Sequence, residues 1–346
     1  MPLNALLGTA LPIIQAPMAG VQDSRLAIAV SNAGGLGSLP CAMLTLEGLH
    51  QQLSTIRAAT DKPYSVNFFS HQPPTPDPAR EQLWRDTLGC YYQEYEINPA
   101  SIPAGPGRQP FTAEAAEVLA EFKPPIVSFH FGLPEQALLD RVKSWGAKVF
   151  STATTLDEAL WLEANGVDAI IAQGLEAGGH RGMFLTEDIS TQVGTFALLP
   201  QVLEAVKVPV IAAGGIASAK GVAAAMSLGA AAVQIGTAYM LCAEATTSAI
   251  HREVLKSSDA GHTALTNLFS GRPARGVMNR VMREIGPMNN STAPFPLATA
   301  AIAPLRSAAE AQGSGDFSPL WAGQNVSGCE EISAAEMTQR LAGMLG

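Results

Sequence analysis

Short apolar runs alternate with longer amphipathic stretches over most of the first 240 residues. Several runs are apolar at consecutive positions, which is typical of parallel strands that are buried on both faces. Gly, Pro, Asn and Asp separate them, as expected where the chain turns. We predict eight strands, at residues 11–18, 36–39, 64–69, 126–130, 148–152, 169–173, 208–213 and 231–235.

Amphipathic stretches of helical period follow most of these strands, and several begin at a capping residue. Ser24 and Ser218 each precede such a stretch and can accept a hydrogen bond from its first turn, and Thr45 opens another stretch. We predict helices at 25–32, 45–59, 134–145, 155–165, 195–206 and 219–228. Strand–helix units repeated eight times over about 250 residues predict an α/β fold, the (β/α)8 or TIM barrel. A doubly wound open sheet is the alternative.

Two parts of the chain break this rhythm. Residues 71–78 and 98–110 each hold four prolines around a predicted helix at 79–96, so we predict an insertion at 71–122. After residue 260 a basic, Gly-punctuated segment (271–286) leads to a loop and a helix at 304–312. We therefore predict a barrel over 1–260, a mainly helical and loop subdomain over 261–330 that covers the catalytic face, and a closing helix within 331–346.

Composition favours a globular protein and argues against two kinds of partner. Of the 346 residues, 47% are hydrophobic and 15% are charged, which is typical of a compact globular chain. The formal net charge of −9 argues against a nucleic-acid or anionic-membrane partner, because both require a basic surface. Residues 222–243 carry no charge and could span a bilayer, but their Ala and Gly content favours a buried helix, turn and strand.

The cysteines and the N-terminus indicate a compartment. Four cysteines stand at scattered positions with no CxxC pair, which fits reduced thiols better than disulfides or a zinc site. The start, Met1-Pro2-Leu3-Asn4, has no basic region of the kind that opens a secretory signal. We expect a cytoplasmic protein, with a monomer and a homodimer both open.

The candidate chemistry lies where strands end, because active sites of (β/α)8 barrels form at the carboxyl ends of their strands. After the sixth strand, residues 173–182 place glycines on both sides of His180. Glycine lets backbone approach a ligand closely, and histidine exchanges protons near neutral pH. The alternative is a Gly-rich turn with a surface histidine.

Two further features suggest a cofactor. Gly214-Gly215 and Gly236-Thr237 follow the seventh and eighth strands, where backbone amides of this fold commonly hold a phosphate; a simple turn into a helix is the alternative. Asn67 and Gln173 can donate and accept at once, which suits the edge of a heterocycle such as a flavin. Buried amides that are satisfied by protein groups are the alternative here.

A metal site is not predicted. His130 and His180 both follow strands, but the chain has no HxH pair, and no carboxylate stands among the strand ends. We expect Glu176 and Asp188 to be solvated or to support the site from outside it. The glycines at 34–37 precede a strand, which is the wrong context for a dinucleotide fingerprint.

Together these residues resemble the nitronate monooxygenases, formerly called 2-nitropropane dioxygenases, which are FMN-dependent TIM barrels. The segments that carry the resemblance are 15–20, 127–132, 173–182, 212–216, 234–237 and 320–324. The resemblance implies FMN held noncovalently, its phosphate on the loops after strands seven and eight. The implied cofactor-binding residues are Ala16, Pro17, Met18, Asn67, Gln173, Gly178, Gly179, Gly214, Gly215, Gln234, Ile235, Gly236 and Thr237.

The resemblance also implies a reaction. His180 matches the active-site histidine of the family, and His130 and Phe131 would contact the substrate. The expected activity is oxidation of a small alkyl nitronate, such as propionate 3-nitronate, with O2 to a carbonyl compound and nitrite.

The chain departs from the family at one place. Family members often carry Tyr where this chain has Phe295, and polar groups follow where Thr299 and Ala303 stand here. This departure leaves open which group holds a substrate carboxylate. The candidates are Arg272, Arg275 and Arg283.

Two other functions remain open at this stage. An FMN-dependent reductase of the same superfamily would use NAD(P)H to reduce an enoyl thioester or a quinone. A flavin-free barrel would act on a sugar phosphate as an isomerase or aldolase, although no lysine follows a predicted strand to form a Schiff base.

Overall fold

The structure is a computed structural model that describes residues 6–103 and 108–345. Residues 1–4, on which the expectation of no secretory signal rests, lie outside the described residues. Eight parallel strands form the central sheet, each paired with its neighbours in chain order. They are Ile13–Gln15, Gly37–Pro40, Tyr64–Phe69, Ile126–His130, Lys148–Ala153, Ala169–Gln173, Val210–Ala213 and Ala232–Ile235.

Hydrogen bonds link the two ends of this sheet and confirm the barrel. The eighth strand pairs with the first, with Ile14 opposite Gln234. The first strand meets the second where Leu36 N donates to Ile13 O (2.8 Å) and Gln15 N donates to Leu36 O (2.9 Å). The open-sheet alternative is therefore wrong.

Eight helices surround the strands, and their capping follows the sequence closely. Ser218 caps its helix as predicted, accepting from Gly221 N. Thr45, predicted as the first helical residue, instead caps the helix that begins at Leu46 and accepts from Gly48 N. The predicted cap Ser24 is wrong, because Asp23 caps that helix by accepting from Arg25 N. The helices are Ser24–Asn32, Leu46–Ala59, Ala113–Phe122, Gln136–Lys143, Leu156–Ala164, Thr195–Ala205, Ala219–Ser227 and Ala334–Ala342.

One barrel helix falls inside the predicted insertion. Ala113–Phe122 packs against Leu46–Ala59 and buries Ala116 and Leu119 in the main core. No helix was predicted here, and these residues were counted in the 71–122 insertion, although their apolar positions have helical spacing. The insertion ends before residue 113.

The last helix completes the ring. Ala334–Ala342 contacts the helices Ser24–Asn32 and Ala219–Ser227, and it buries Met337 and Leu341 in the main core. The closing helix is therefore the eighth helix of the barrel, not a separate unit. The segment between the eighth strand and this helix is an insertion into the barrel.

The two insertions pack on each other as one cover. The single helix predicted at 79–96 is two helices, Pro78–Thr87 and Gly89–Glu94, and they contact the helix Ala298–Ala311 through a second apolar cluster. Trp84 Nε1 donates to Ala298 O (3.1 Å), and Tyr92 Oη donates to Ala301 O (2.7 Å). Pro304 lies inside Ala298–Ala311, so that helix begins six residues before the predicted start at 304.

A small antiparallel sheet joins this cover to the barrel. Its strands are Gly179–His180, Thr263–Thr266 and Ala274–Val277, with His180 opposite Ala274. The Gly/His stretch was predicted as a loop, yet pairing with the strand Ala274–Val277 fixes its backbone.

The uncharged stretch at 222–243 contains the end of the helix Ala219–Ser227 and the strand Ala232–Ile235, in agreement with the prediction. Among the described residues, no helix combines the length and apolar character that crossing a bilayer requires. All four cysteines are free.

Candidate active site

A cavity opens at the carboxyl ends of the barrel strands, beneath the cover. It encloses about 1350 Å³, counted with its open mouth, which is room for a mononucleotide-sized ligand and a small substrate. His130 and His180 both line it, whereas Phe131 lies beside it in an aromatic cluster. The thirteen residues predicted to bind a cofactor all line it: Ala16, Pro17, Met18, Asn67, Gln173, Gly178, Gly179, Gly214, Gly215, Gln234, Ile235, Gly236 and Thr237.

His180 is held at three points. Its Nε2 lies 2.8 Å from Ser270 Oγ. Its backbone oxygen accepts from Gln173 Nε2 (3.0 Å) and faces His130 Nε2 (3.1 Å). With its backbone also paired to Ala274, the imidazole has little freedom to turn away from the cavity.

The surroundings of His180 favour its neutral form. Burial lowers the pKa of His180 well below its usual value, and the nearby charges of Arg108 and Arg272 lower it further. A neutral imidazole can accept a proton or a hydrogen bond at physiological pH. Four aromatic rings have their centres 5.6–6.0 Å from the imidazole, those of Phe69, Phe131, Phe295 and Trp321.

His130 positions this group. Its Nε2 donates to His180 O, and its Nδ1 accepts from Thr152 Oγ1 (3.1 Å), so protein groups engage both ring nitrogens. Burial lowers the pKa of His130 to about 4. The two histidines therefore do not direct a pair of free nitrogens at one point, as metal ligands would.

The two predicted amides differ in what they offer a ligand. Gln173 Oε1 accepts from Gly182 N (2.8 Å) while its Nε2 donates to His180 O, so this amide mainly shapes the loop. Asn67 Nδ2 donates to Ser128 Oγ (2.9 Å). No described residue donates to Asn67 Oδ1, which leaves one acceptor for a ligand on the cavity wall.

Arg181 is a structural residue that the sequence did not reveal. It is fully buried, and its guanidinium donates to Gln173 O and Gly174 O, both at 2.7 Å, and to Gln192 Oε1 at 2.9 Å. Three well-formed hydrogen bonds offset the cost of burying the charge. Arg181 therefore fixes the chain where the sixth strand ends and the Gly/His stretch begins.

Gly214 and Gly215, after the seventh strand, leave bare backbone on the cavity wall, which we call the glycine cradle, and protein atoms occupy the space that a side chain on Gly214 would need. Gly214 and Gly215 have φ of +115° and +72°. A Cβ on Gly214 would lie 2.8 Å from Thr195 Oγ1 and 3.1 Å from Ala177 N. Likewise, a Cβ on Gly178 would lie 2.5 Å from Gly323 N. Such bare backbone fits a bound phosphate.

The carboxylates near the site have structural roles. Glu176 accepts from Thr195 N (2.8 Å) and Thr195 Oγ1 (2.9 Å) at the start of the helix Thr195–Ala205. Exposed Asp188 accepts from Ser190 N (2.9 Å). Asp188 faces solvent as expected, whereas Glu176 holds the start of this helix and also lines the cavity, so it does not lie outside the site.

Of the three candidate arginines, only Arg272 lies beside His180. Arg275 donates to Leu175 O (3.0 Å) beneath the Gly/His stretch, and Arg283 donates to Met278 O (3.2 Å) at the surface. The sequence did not reveal Arg108, which lines the cavity, or Ser270. Arg108 lies in a proline-rich segment without periodic pattern, and Ser270 is 90 positions from the histidine it contacts, so neither carried a local signal.

Buried histidines make stability depend on pH. Burial lowers the pKa of His71, His130 and His251 to about 4, and that of His180 in the same direction. The unfolded chain binds protons below about pH 6.5 and the folded chain does not, so stability is lost as pH falls from there. We expect the free energy of unfolding to drop by up to about 1.4 kcal/mol per pH unit for each histidine.

Urea unfolding at pH 7.5, 6.5 and 5.5 measures this slope. His251 lies on the helix Ala249–Lys256, outside the cavity lining. In a His251→Gln variant, the free energy of unfolding should change less steeply with pH, by the contribution of about one proton. Equal stability at all three pH values would contradict the expectation.

Comparison with known proteins gives concordant matches. The family model described as nitronate monooxygenase matches residues 1–343. A nitronate monooxygenase from Pseudomonas aeruginosa is 42% identical over 345 residues, covering 97% of this chain and 96% of that protein. The crystal structure of nitroalkane oxidase from Streptomyces ansochromogenes has a TM-score of 0.89 at 38% identity, covering 99% of this chain and 97% of that one. The structure of FabK from Thermotoga maritima has a TM-score of 0.73 at 28% identity, with coverage of 99% and 94%.

Proposed function

The chain belongs to the nitronate monooxygenase family of oxidoreductases, and from that premise we propose that it uses bound FMN and O2 to oxidise alkyl nitronates. The products are a carbonyl compound and nitrite, and propionate 3-nitronate is the substrate we propose. The observation that carries this proposal is the neutral, firmly held His180 on the wall of a cavity that also contains the glycine cradle.

The residues present fit FMN. The cradle at Gly214 and Gly215, with the backbone of Gly236 and Thr237, would hold the phosphate through N–H groups. Asn67 Oδ1 would accept a hydrogen bond from the flavin edge. When bound, the flavin supplies the redox chemistry, while the protein supplies position and electrostatic environment.

His180 would act on the nitro end of the substrate. A nitronate is already an anion, so it needs a hydrogen-bond partner more than a base. A neutral nitroalkane must first lose its α-proton, and a neutral imidazole can take it. The aromatic rings around His180 make its surroundings less polar, which strengthens the interaction between the imidazole and a bound anion.

An absorption spectrum of the protein after reconstitution with FMN, followed by nitrite release from propionate 3-nitronate in air, tests the proposal. We expect flavin bands and nitrite in proportion to substrate consumed. Anaerobic mixing separates the alternatives, because bleaching of the flavin by NADPH but not by a nitronate would indicate a reductase. A protein that stays colourless after reconstitution would favour the flavin-free barrel.

A further inference from the structure

Two arginines beside His180 carry charges without partners. In the described part of the chain, six buried side-chain nitrogen or oxygen atoms have no hydrogen-bond partner, and two of these are Arg108 Nη1 and Arg272 Nη1. Ser70 Oγ and His71 Nδ1 are two more, in the same region. Four of the six unpartnered atoms therefore lie in one region, where Arg108 lines the cavity and Arg272 lies against the Phe131 ring next to it.

The two guanidinium groups lie against the rings of Phe131 and Phe295. The Arg272 guanidinium carbon lies 4.5 Å from the centre of the Phe131 ring and 5.6 Å from that of Phe295. The Arg108 guanidinium carbon lies 6.0 Å from the Phe295 ring centre, and Arg108 lines the cavity. Both charges act on His180, whose ring centre is 5.6 Å from that of Phe295.

Neither arginine has a counter-ion among the described residues. None of the ion pairs within 4 Å involves Arg108 or Arg272. Glu187 and Glu158 act on Arg272 only from a distance, because neither forms an ion pair with it within 4 Å. The Glu158 oxygens accept instead from Thr154 and from the backbone N–H of Phe184. Both arginines are partly exposed, but the Nη1 atom of each is buried without a partner. A buried charged donor without a partner is unfavourable, so a bound anion would stabilise this arrangement.

We propose that Arg108 and Arg272 form a subsite for the carboxylate of a nitronate substrate whose nitronate end lies at His180. The proposal rests on the proposed function. Guanidinium binds carboxylate through paired N–H donors, and its planar face stacks on aromatic rings as it does here on Phe131. Phe295 has no hydroxyl to offer a carboxylate, so the arginines would supply the donors instead.

Two substrates that differ only at one end test this role. Propionate 3-nitronate and propyl-1-nitronate share the reacting group, but the second has a methyl where the first has a carboxylate. Arg108→Met and Arg272→Met keep an unbranched apolar stem and remove the charged guanidinium. We expect kcat/KM for propionate 3-nitronate to fall about 10–100-fold in each variant, the range for a lost charge-assisted hydrogen bond. The value for propyl-1-nitronate should change less than about threefold.

Arg283→Met is the matched control, because Arg283 lies at the surface and should leave both substrates unchanged. An equal loss on both substrates in the Arg108 and Arg272 variants would mean that these arginines hold the nitronate group itself, which overturns the proposal. No loss on either substrate would overturn it as well.

Binding of succinate gives a readout that needs no turnover. Succinate has the shape of propionate 3-nitronate, with a second carboxylate in place of the nitronate. We expect it to raise the Tm of the FMN-loaded wild type and of Arg283→Met, to raise that of Arg108→Lys less, and not to raise that of Arg108→Met. Butyrate, with one carboxylate, should act more weakly than succinate.

These outcomes separate the two proposals. If succinate stabilises the wild type but no nitronate is oxidised, the proposed function fails and the subsite stands. If succinate does not shift the Tm of the wild type, the subsite is overturned even where a methionine variant fails to fold.

Discussion

His180→Ala is expected to lower kcat/KM for neutral nitroalkanes by about 10²–10⁴-fold, the usual contribution of a positioned general base. The imidazole is neutral because burial and two arginines lower its pKa, so it is ready to accept the α-proton. Nitronates have already lost that proton, so their kcat/KM should fall less, about tenfold, because only one hydrogen bond is lost. Nitrite release from nitroethane and from its nitronate measures both effects.

FMN should remain bound in His180→Ala, because the phosphate cradle lies on other strands, and the flavin absorption bands report this directly. His50→Ala is the matched control, since His50 is half exposed and contacts Glu121 on the outer surface. Nitroalkane turnover equal to wild type in His180→Ala would remove this residue from the mechanism.

Gly215→Asp is expected to weaken FMN binding by about a hundredfold or more. Gly215 has φ +72°, and a Cβ there would lie 3.4 Å from Glu176 Cβ. The added carboxylate would face both the phosphate dianion and Glu176, and like charges at such range cost roughly 3 kcal/mol. Equilibrium dialysis or quenching of flavin fluorescence measures the Kd.

Gly215→Asn separates charge from shape. Asn has the size of Asp and tolerates positive φ comparatively well, so its FMN affinity should fall by much less. Full flavin occupancy in Gly215→Asp would place the phosphate elsewhere in the cavity. Equal losses in both variants would assign the effect to backbone strain.

The barrel followed from local sequence because its strands are short apolar runs. Tyr64–Phe69, Ile126–His130 and Ala169–Gln173 have the predicted bounds. Burial on both faces requires apolar residues at consecutive positions, and this signal does not depend on distant contacts. Residues that follow the strands meet at one end of a barrel, so the sequence also predicted that Asn67, His180 and Gly215 lie close together. All three line the cavity.

Other features depended on residues far apart in the chain. Nothing local marks Ala334–Ala342 as the eighth barrel helix, because a long insertion separates it from its strand. Similarly, the two-residue strand Gly179–His180 is too short to show a period and exists through its pairing with Ala274.

Short segments predicted the barrel, the end at which its cavity opens and the histidine on the cavity wall, because the period and composition of those segments encode these features. The surroundings of that histidine, Ser270 at its nitrogen and the unpartnered nitrogens of Arg108 and Arg272 nearby, come from residues distant in the chain. The charge state of a histidine depends on such contacts across the fold, and residue spacing along the chain does not record them.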